Sequence, residues 1–399
     1  MDGPLISFDV SKKNSHMQGF IGPGKPLRKA AVIKHNKEGF EKVTKLYEEL
    51  KQKTGREPVA VYEYTGVYSH ALERFLISKG IKRIVLSPLE SAKFRKSQIR
   101  STKNDKRDCK TIVDVAYTRD HPFAKEDSPE MEKLRYLLGE YRHAGNVMVR
   151  AKNWYVRQLD DVWPEFSVLF DPFDQKSLAL VKKFGCPQNI HSRAAIAKAL
   201  SNVGKQGKMK FEDKVDAFWD YAQNHQFDDI PDYMAERVKK AQDNAMDAIR
   251  EADEIFDQMY PIASKMKETE LLTTTKGIGD KLAVRLLAGI GDIKKFPKAK
   301  NLIAYAGLDP TVYQSGEMKG QHLHITKKGN AYLRATLFEA VKEIRMHDKE
   351  SPIAEYVRRK IKDGHSENAA IIAGCSKLLR MVHAMLRDGT CYSPKVEHK

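Results

Sequence analysis

Three short apolar runs in the first 125 residues limit the possible folds more than any other feature of this 399-residue chain. Leu5–Val10 (LISFDV) and Pro58–Tyr64 (PVAVYEY) have strand length, and each carries an acid near its C-terminal end, Asp9 and Glu63. Ile81–Leu86 is a third run, ended by Pro88. GPGKP at 22–26 marks a turn, which predicts a hairpin over 15–33. Between the strands, Val67–Lys79 has helical periodicity and stops at Gly80. A second helix is predicted from Asn104 to Arg119, with Ile112, Val113, Val115 and Ala116 as its apolar side. Strands alternating with helices predict an α/β domain with a mixed sheet over residues 1–125.

That domain holds four acids worth grouping: Asp9, Glu63, Asp105 and Asp108. Two stand at strand ends. The other two are three residues apart, on one face of the first turn of a helix able to pack beside the strands. Crowded carboxylates repel one another unless a cation joins them. Magnesium takes such hard oxygen ligands and shares them with phosphates. Each acid alone also has an ordinary reading. Asp9 caps a turn, Glu63 pairs with a lysine, and Asp105 and Asp108 favour a helix N-terminus. Spacing alone leaves both readings open.

Charge points to a polyanionic partner. The net charge is +17 and the pI about 9.4. The cations cluster: Lys93 to Lys110 holds eight basic residues against two acids, and those acids are Asp105 and Asp108. Lys93, Arg95, Lys96, Arg100 and Lys103 are candidate contacts to a nucleic-acid backbone. The apolar runs are far shorter than a membrane span, and MDGPLISFDV lacks the build of a signal peptide. Cys109, Cys186, Cys375 and Cys391 form no CxxC pair, which predicts a reducing, cytoplasmic setting.

The middle, 126–270, reads as two long helices around a less regular part. Glu130–Val162 is one helix, stopped by Pro164, with Leu134, Leu138, Tyr141, Met148, Tyr155, Leu159 and Val162 on a stripe. The other starts near Asp232. Val238, Ala241, Ala245, Ala248, Ala252, Ile255 and Met259 alternate steps of three and four along it, a heptad seam with a small core. Antiparallel pairing with the first long helix and assembly between subunits both satisfy such a seam. Residues 165–230 carry short helices such as Ser192–Leu200 and a basic loop at 204–210, with no functional signal.

The C-terminal part, 271–390, holds a stretch from Thr275 to Asn330. Gly277-Ile278-Gly279 is a glycine hairpin between a long polar helix and the apolar helix Lys281–Leu287. A short helix, Ala299–Tyr305, follows and is closed by Gly307. Such a helix-hairpin-helix-like unit brings backbone N–H groups close to an anion. Gly277, Gly279 and Lys281 are therefore candidate phosphate contacts. Next comes an irregular segment with Ser315-Gly316, Lys319, His322, His324, Lys327 and Lys328. Ser-Gly by itself is an ordinary turn. The two histidines alternate as on a strand and suit phosphate better than zinc, since no third ligand is apparent. Helices are predicted at Ala331–Arg345, Ile353–Lys362 and Glu367–Arg387, before a polar tail at 391–399.

Several of these blocks, in order, resemble the IS110 family of insertion-sequence transposases, which has the Piv-type DNA invertases as relatives. FDVSKK, YEYTGVY and STKNDKRDCKTI resemble its RuvC-like (RNase H-fold) DEDD domain. GIGDKLAVRLLAGIGDIKKF, AKNLIAYAGLDP, QSG, ITKKGNAYLRATLFEAV and the helices to about 387 resemble its C-terminal transposase domain. The resemblance implies a quartet, Asp9, Glu63, Asp105 and Asp108, that holds Mg²⁺. It implies Ser315 as a nucleophile forming a phosphoserine link to DNA. It also implies a coiled-coil segment serving a homo-oligomer (dimer or tetramer), donor and target DNA as substrates, and a noncoding bridge RNA as guide. Asn104 stands where the family usually has Thr, and Cys109 where Ala is usual; neither removes a carboxylate. A RuvC-like nuclease or resolvase using water, a Piv-like invertase and a non-enzymatic nucleic-acid-binding protein are the competing readings.

Overall fold

The computed structural model describes residues 2–97, 105–204, 210–226, 229–310, 314–315, 318–319 and 324–393, with backbone alone at 89, 95–97, 105–107, 314–315 and 318–319. The chain divides into two compact units, residues 1–126 and 127–399.

The first unit is built on a mixed sheet. Strands β1 (Leu5–Val10) and β2 (Asn14–Gly22) form an antiparallel pair, and β3 (Lys25–Pro26) and β4 (Ala31–Lys34) add to the free side of β2. On its other side β1 pairs in parallel with β5 (Val59–Glu63), which pairs in parallel with β6 (Arg83–Leu86). The order is β3-β2-β1-β5-β6, with β4 beside β2. Period-two alternation sends Ile6, Phe8, Val10, Ala60 and Tyr62 to one face. Helices α1 (Lys37–Thr54) and α2 (His70–Ser78) cover that face through Val43, Leu46, Leu50, Leu72 and Leu76. The other face, with Leu5, Val59, Val61, Ile84 and Leu86, lies under Ile112, Val113, Val115 and Ala116.

Those last four belong to α4 (Asp105–Thr118), which follows α3 (Pro88–Ser97). Pro88 therefore opens a helix as well as ending a strand, in keeping with the tolerance of proline at a first turn. Helix α1 is absent from the sequence reading above. Its signals are the Asn36 side chain capping Gly39 N and buried residues at 43, 46 and 50.

Two long helices frame the second unit: α5 (Pro129–Val162) and α10 (Asp232–Ala263). Met131, Leu134 and Leu138 share a core with Phe256, Met259 and Ala263. Tyr155, Leu159 and Val162 share another with Ala235, Val238, Ala241 and Ala245. The pair therefore runs antiparallel, and the alanine seam of α10 is spent within the chain. Between them lie α6 (Phe166–Leu169), α7 (Gln175–Phe184), α8 (Arg193–Leu200) and α9 (Phe211–Asn224). They wrap the far end of the pair around Trp163, whose indole N–H donates to the Gly185 carbonyl at 2.9 Å.

The near end enters a helical core with α11 (Lys267–Thr273), α12 (Asp280–Ile290), α13 (Ala299–Tyr305), α14 (Ala331–His347), α15 (Pro352–Lys362) and α16 (Glu367–Asp388). The helix before the glycine hairpin is thus the short α11; the long helix stops at Ala263. Helix α16 is long and apolar enough to cross a membrane by length and composition, contrary to the sequence expectation. More than half of it is buried here, with Ile371, Cys375, Leu378, Leu379 and Val382 at the centre of the core. Burying one such aliphatic side chain contributes roughly 1.5–3 kcal/mol.

Gly277 sits where α12 meets α14. Its φ is +91°, and a Cβ there would lie 2.7 Å from the Ile344 backbone. Gly279 has open space around the same position. Gly277→Ala should therefore lose at least about 2 kcal/mol, from the left-handed φ and the backbone clash together. Gly279→Ala should change stability by less than about 1 kcal/mol. Thermal unfolding of the two variants checks this; equal melting temperatures would remove the packing role of Gly277.

Candidate active site

The parallel register of β1 and β5 sets Phe8 opposite Tyr62. One residue further along, Asp9 and Glu63 follow on the neighbouring strands, at the carboxyl edge of the sheet. Phe8 and Tyr62 both point to the α1–α2 side, so alternation turns Asp9 and Glu63 to the α4 side. Carboxyl edges of parallel strands are where α/β sheets hold ligands, because the connecting loops diverge there.

Helix α4 brings the remaining acids. Near its start, the Cys109 thiol donates to the His16 carbonyl at 3.3 Å, and His16 is the β2 partner of Asp9. Near its end, the Tyr117 hydroxyl donates to the Gly3 carbonyl at 2.8 Å. Helix α4 thus runs opposite to β1, and its N-terminus arrives at the carboxyl edge with its partial positive charge. Asp108 is 8% exposed on this first turn, and Asp105 is the first residue of the helix, its side chain outside the described residues. Burial pushes the Cys109 thiol up to about 11, and the charges of Asp9 and Asp108 push it the same way.

The fold thus gathers Asp9, Glu63 and Asp108 at one edge and starts α4 with Asp105. Among the described residues, no group of three or more His, Cys, Asp or Glu side chains is arranged to hold a metal ion. The donor chemistry fits a hard divalent cation, since every member of the quartet offers carboxylate oxygens. Aromatic side chains flank this edge: Tyr64 is 50% exposed and Tyr68 42% exposed, both just after Glu63.

In the second unit, Ser315 ends β7 (Gln314–Ser315), opposite Met318 of β8 (Met318–Lys319). The chain leaves for this hairpin and returns through a narrow base. Lys327 N–H donates to Gly307 O at 3.1 Å and Thr326 N–H to Asp309 O at 2.9 Å. The Thr326 hydroxyl donates to Asp309 Oδ1 at 2.8 Å, and Pro310 bridges Ile325. Gly307 and Gly329 touch backbone to backbone; a Cβ on Gly329 would stand 2.4 Å from Gly307 N. Asn330 then caps α14 by accepting from Leu333 N–H at 3.0 Å. Sequence reasoning missed this base. Its signal was the pair of glycines and the Asp and Thr flanking a polar segment.

The candidate nucleic-acid contacts come from both units. Lys93 is exposed on α3, and Arg95 and Lys96 lie on the same helix with side chains outside the described residues. Arg100, Lys103 and His322 lie outside the described residues altogether. Lys319 is on β8, and Lys328 and His324 are exposed. Lys327 holds a φ of +53°, an uncommon conformation for a side chain of its size. Lys281 has a partner inside the fold: its ammonium bonds Asp253 at 2.8 Å and lies 5.4 Å from the centre of the Phe256 ring. Gly277 packs against the Ile344 backbone, and Gly279 has open space where a Cβ would stand.

Cys109, Cys186 and Cys375 are buried and Cys391 is exposed. Burial holds the Cys375 thiol up to about 12 and raises Cys186 as well. A raised pKa keeps these buried thiols protonated, so Cys109, Cys186 and Cys375 should stay unreactive between pH 7 and pH 9. A disulfide reagent should therefore titrate a single thiol in the folded chain and all four after denaturation. A second fast thiol in the folded protein would mean that one of the three buried cysteines opens to solvent.

Comparison with known proteins agrees with this layout. A DEDD transposase (IS110) model matches residues 6–164, and a model for the transposase IS116/IS110/IS902 family matches residues 269–358. Residues 165–268, the helical wrap and α10, fall in neither. A Streptomyces coelicolor protein, the insertion element IS110 uncharacterized 43.6 kDa protein, is 23% identical over 99% of this chain and 96% of its own length. The insertion element IS116 uncharacterized 44.8 kDa protein of Streptomyces clavuligerus is 23% identical over 73% of each chain. The transposase for insertion sequence element IS1111A of Coxiella burnetii is 26% identical over 34% of this chain and 37% of its own. With one family model on the acid-bearing unit, the other on the serine-bearing region, and relatives named for insertion elements, the chain belongs to the IS110 family of transposases.

Proposed function

We propose that this chain is a DNA transposase that cuts and rejoins strands by phosphoryl transfer, with a RuvC-like first unit and Ser315 as nucleophile. The observation that carries the reading is the convergence of Asp9, Glu63 and Asp108 at one carboxyl edge, with Asp105 opening the same helix. These carboxylates are the residues that would hold Mg²⁺, which when bound supplies charge neutralisation and Lewis acidity at a phosphate. The N-terminus of α4 offsets part of their mutual repulsion.

The Ser315 hydroxyl attacks phosphorus, forming a serine–phosphate ester. The P–O bond to one strand end breaks, and that oxygen leaves as a hydroxyl carrying the serine proton. The bond energy is kept in the ester, so a second strand end reverses the step without added energy. The paired backbone at Gly307–Asp309 and Thr326–Lys327 supports a defined position for the serine hairpin. Lys93, Arg95, Lys96, Arg100, Lys103, Gly277, Gly279, Lys281, Lys319, Lys327 and Lys328 serve the phosphate backbone in this reading, and the net charge of +17 supports a polyanionic partner. A structured noncoding RNA supplies target choice by base pairing. The protein works as a cytoplasmic homo-oligomer. The alanine seam of α10 is already used against α5, so the partner surface lies elsewhere; exposed Tyr136, Val149 and Trp154 on α5 are apolar candidates.

The deciding experiment incubates the protein, Mg²⁺ and RNA from the flanking region with end-labelled DNA and resolves the products on a denaturing gel. Wild type should give a shifted protein–DNA band. Ser315→Ala should abolish it, and Asp9→Asn should reduce it at least about 100-fold. Thr326→Val should lower the yield of adduct while leaving DNA affinity intact, because it loosens the base of the serine hairpin. Free cut ends without a shifted band, unaffected by Ser315→Ala, would replace the serine with water. No cutting under any condition would leave a binding protein.

A further inference from the structure

A groove of about 500 Å³ lies in the first unit between α1 and the β2–β4 edge of the sheet. Its walls carry four cations, Arg28, Lys29, Lys42 and Lys45, against one carboxylate, Glu49. The floor is Met17, Gly19 and Leu46. Helix α1 covers the sheet face of Phe8 and Tyr62, so this groove is on the side opposite the Asp9–Glu63 carboxylates.

The walls are fixed in place. A Cβ on Gly39 would fall 1.9 Å from the Lys34 carbonyl, so the start of α1 lies directly against the end of β4. A Cβ on Gly19 would meet Leu46 and Leu50 at 3.0 Å. Arg28 reaches across to Glu49 at 2.7 Å, and Gln18 Nε2 donates to the Arg28 carbonyl at 2.9 Å. Lys42 bonds Glu38 at 2.8 Å one helical turn away, an exposed pair of the kind that adds little stability. Lys29 and Lys45 enter no ion pair among the described residues.

Lys29 and Lys45, together with the surface-paired Arg28 and Lys42, give this concave surface an excess of positive charge that favours an anion able to meet several of them at once. We propose that this groove binds the phosphodiester backbone of a single nucleic-acid strand, as a contact separate from the cutting site. Its volume is that of a small-molecule pocket, enough for a nucleotide or two. A duplex, whose major groove alone is about 12 Å wide, does not fit inside. The groove offers cations to phosphate and presents no set of side chains arranged to read base edges, so it is indifferent to sequence.

The test is fluorescence anisotropy on the full chain with labelled oligothymidylate, oligouridylate and a hairpin duplex, in EDTA so that cutting plays no part. Lys29→Gln with Lys45→Gln should lower the slope of log affinity against log salt by about 1.4 on either single strand, two contacts at about 0.7 each. Lys29→Arg with Lys45→Arg should keep the wild-type slope. Glu49→Gln removes the one acid and frees Arg28, so it should steepen the slope by about 0.7. Thermal unfolding confirms that the variants remain folded. Unchanged single-strand slopes would overturn the proposal, as would an equal loss on the duplex or a loss confined to one of the two single strands. Because Asp9 and Ser315 are intact throughout, these outcomes are independent of whether the chain cuts DNA.

Discussion

The antiparallel contact between α5 and α10 is the constraint on which the second unit rests. The α10 seam is mostly alanine, with Ala241, Ala245, Ala248 and Ala252 all buried. Small side chains let two helices of 34 and 32 residues approach closely over their length. At one end the pair is wrapped by α6–α9 around Trp163, and at the other it enters the core of α11–α16. Both cores draw on residues from both helices, so separating the pair would open each of them. Residues 165–268, outside both family models, still complete this frame.

The first unit has a comparable constraint at a smaller scale. A parallel pairing of β1 and β5 puts two acids side by side, and a helix running the other way delivers a third. None of the three elements makes the arrangement by itself. Slipping the β1–β5 register by one residue would turn every side chain of one strand to the opposite face, and Asp9 would no longer share a face with Glu63. The apolar residues on either side of the sheet therefore determine where the acids point. Phe8 and Tyr62 on one face, and Leu5 and Val61 on the other, hold the register that the chemistry needs.

The serine hairpin follows a different logic. The chain enters and leaves it through a base formed by described residues on either side. Backbone hydrogen bonds, the Asp309–Thr326 contact and the meeting of Gly307 with Gly329 form that base, and Asn330 passes directly into the cap of α14. A glycine with a positive φ on one side and close backbone contact on the other leaves little room for alternative paths. The two glycines thus have a physical task whatever the chemistry of the serine.

Much of this was legible in the sequence because it depends on local patterns. The strands with Asp9 and Glu63 at their ends, the helix carrying Asp105 and Asp108, both long helices and the heptad spacing of α10 all follow from periodicity and stop signals. The family followed from ordered motifs. Helix α1 was open to the same reasoning, through Asn36 and the spacing of Val43, Leu46 and Leu50. What the sequence could not decide was partnership. The heptad seam was equally consistent with another subunit, and only the shared cores show that α5 fills it. Lys281, a candidate phosphate contact, also pairs at the surface with Asp253, 28 residues earlier. Gly277 takes the positive φ expected of the hairpin, and its close approach to the Ile344 backbone exists only in the fold. Helix α16 has the length and apolarity of a membrane span, and only its place in the core identifies it as an interior helix. Periodicity specifies which face of an element is apolar; what meets that face depends on contacts distant in sequence, and these exist only in the folded chain.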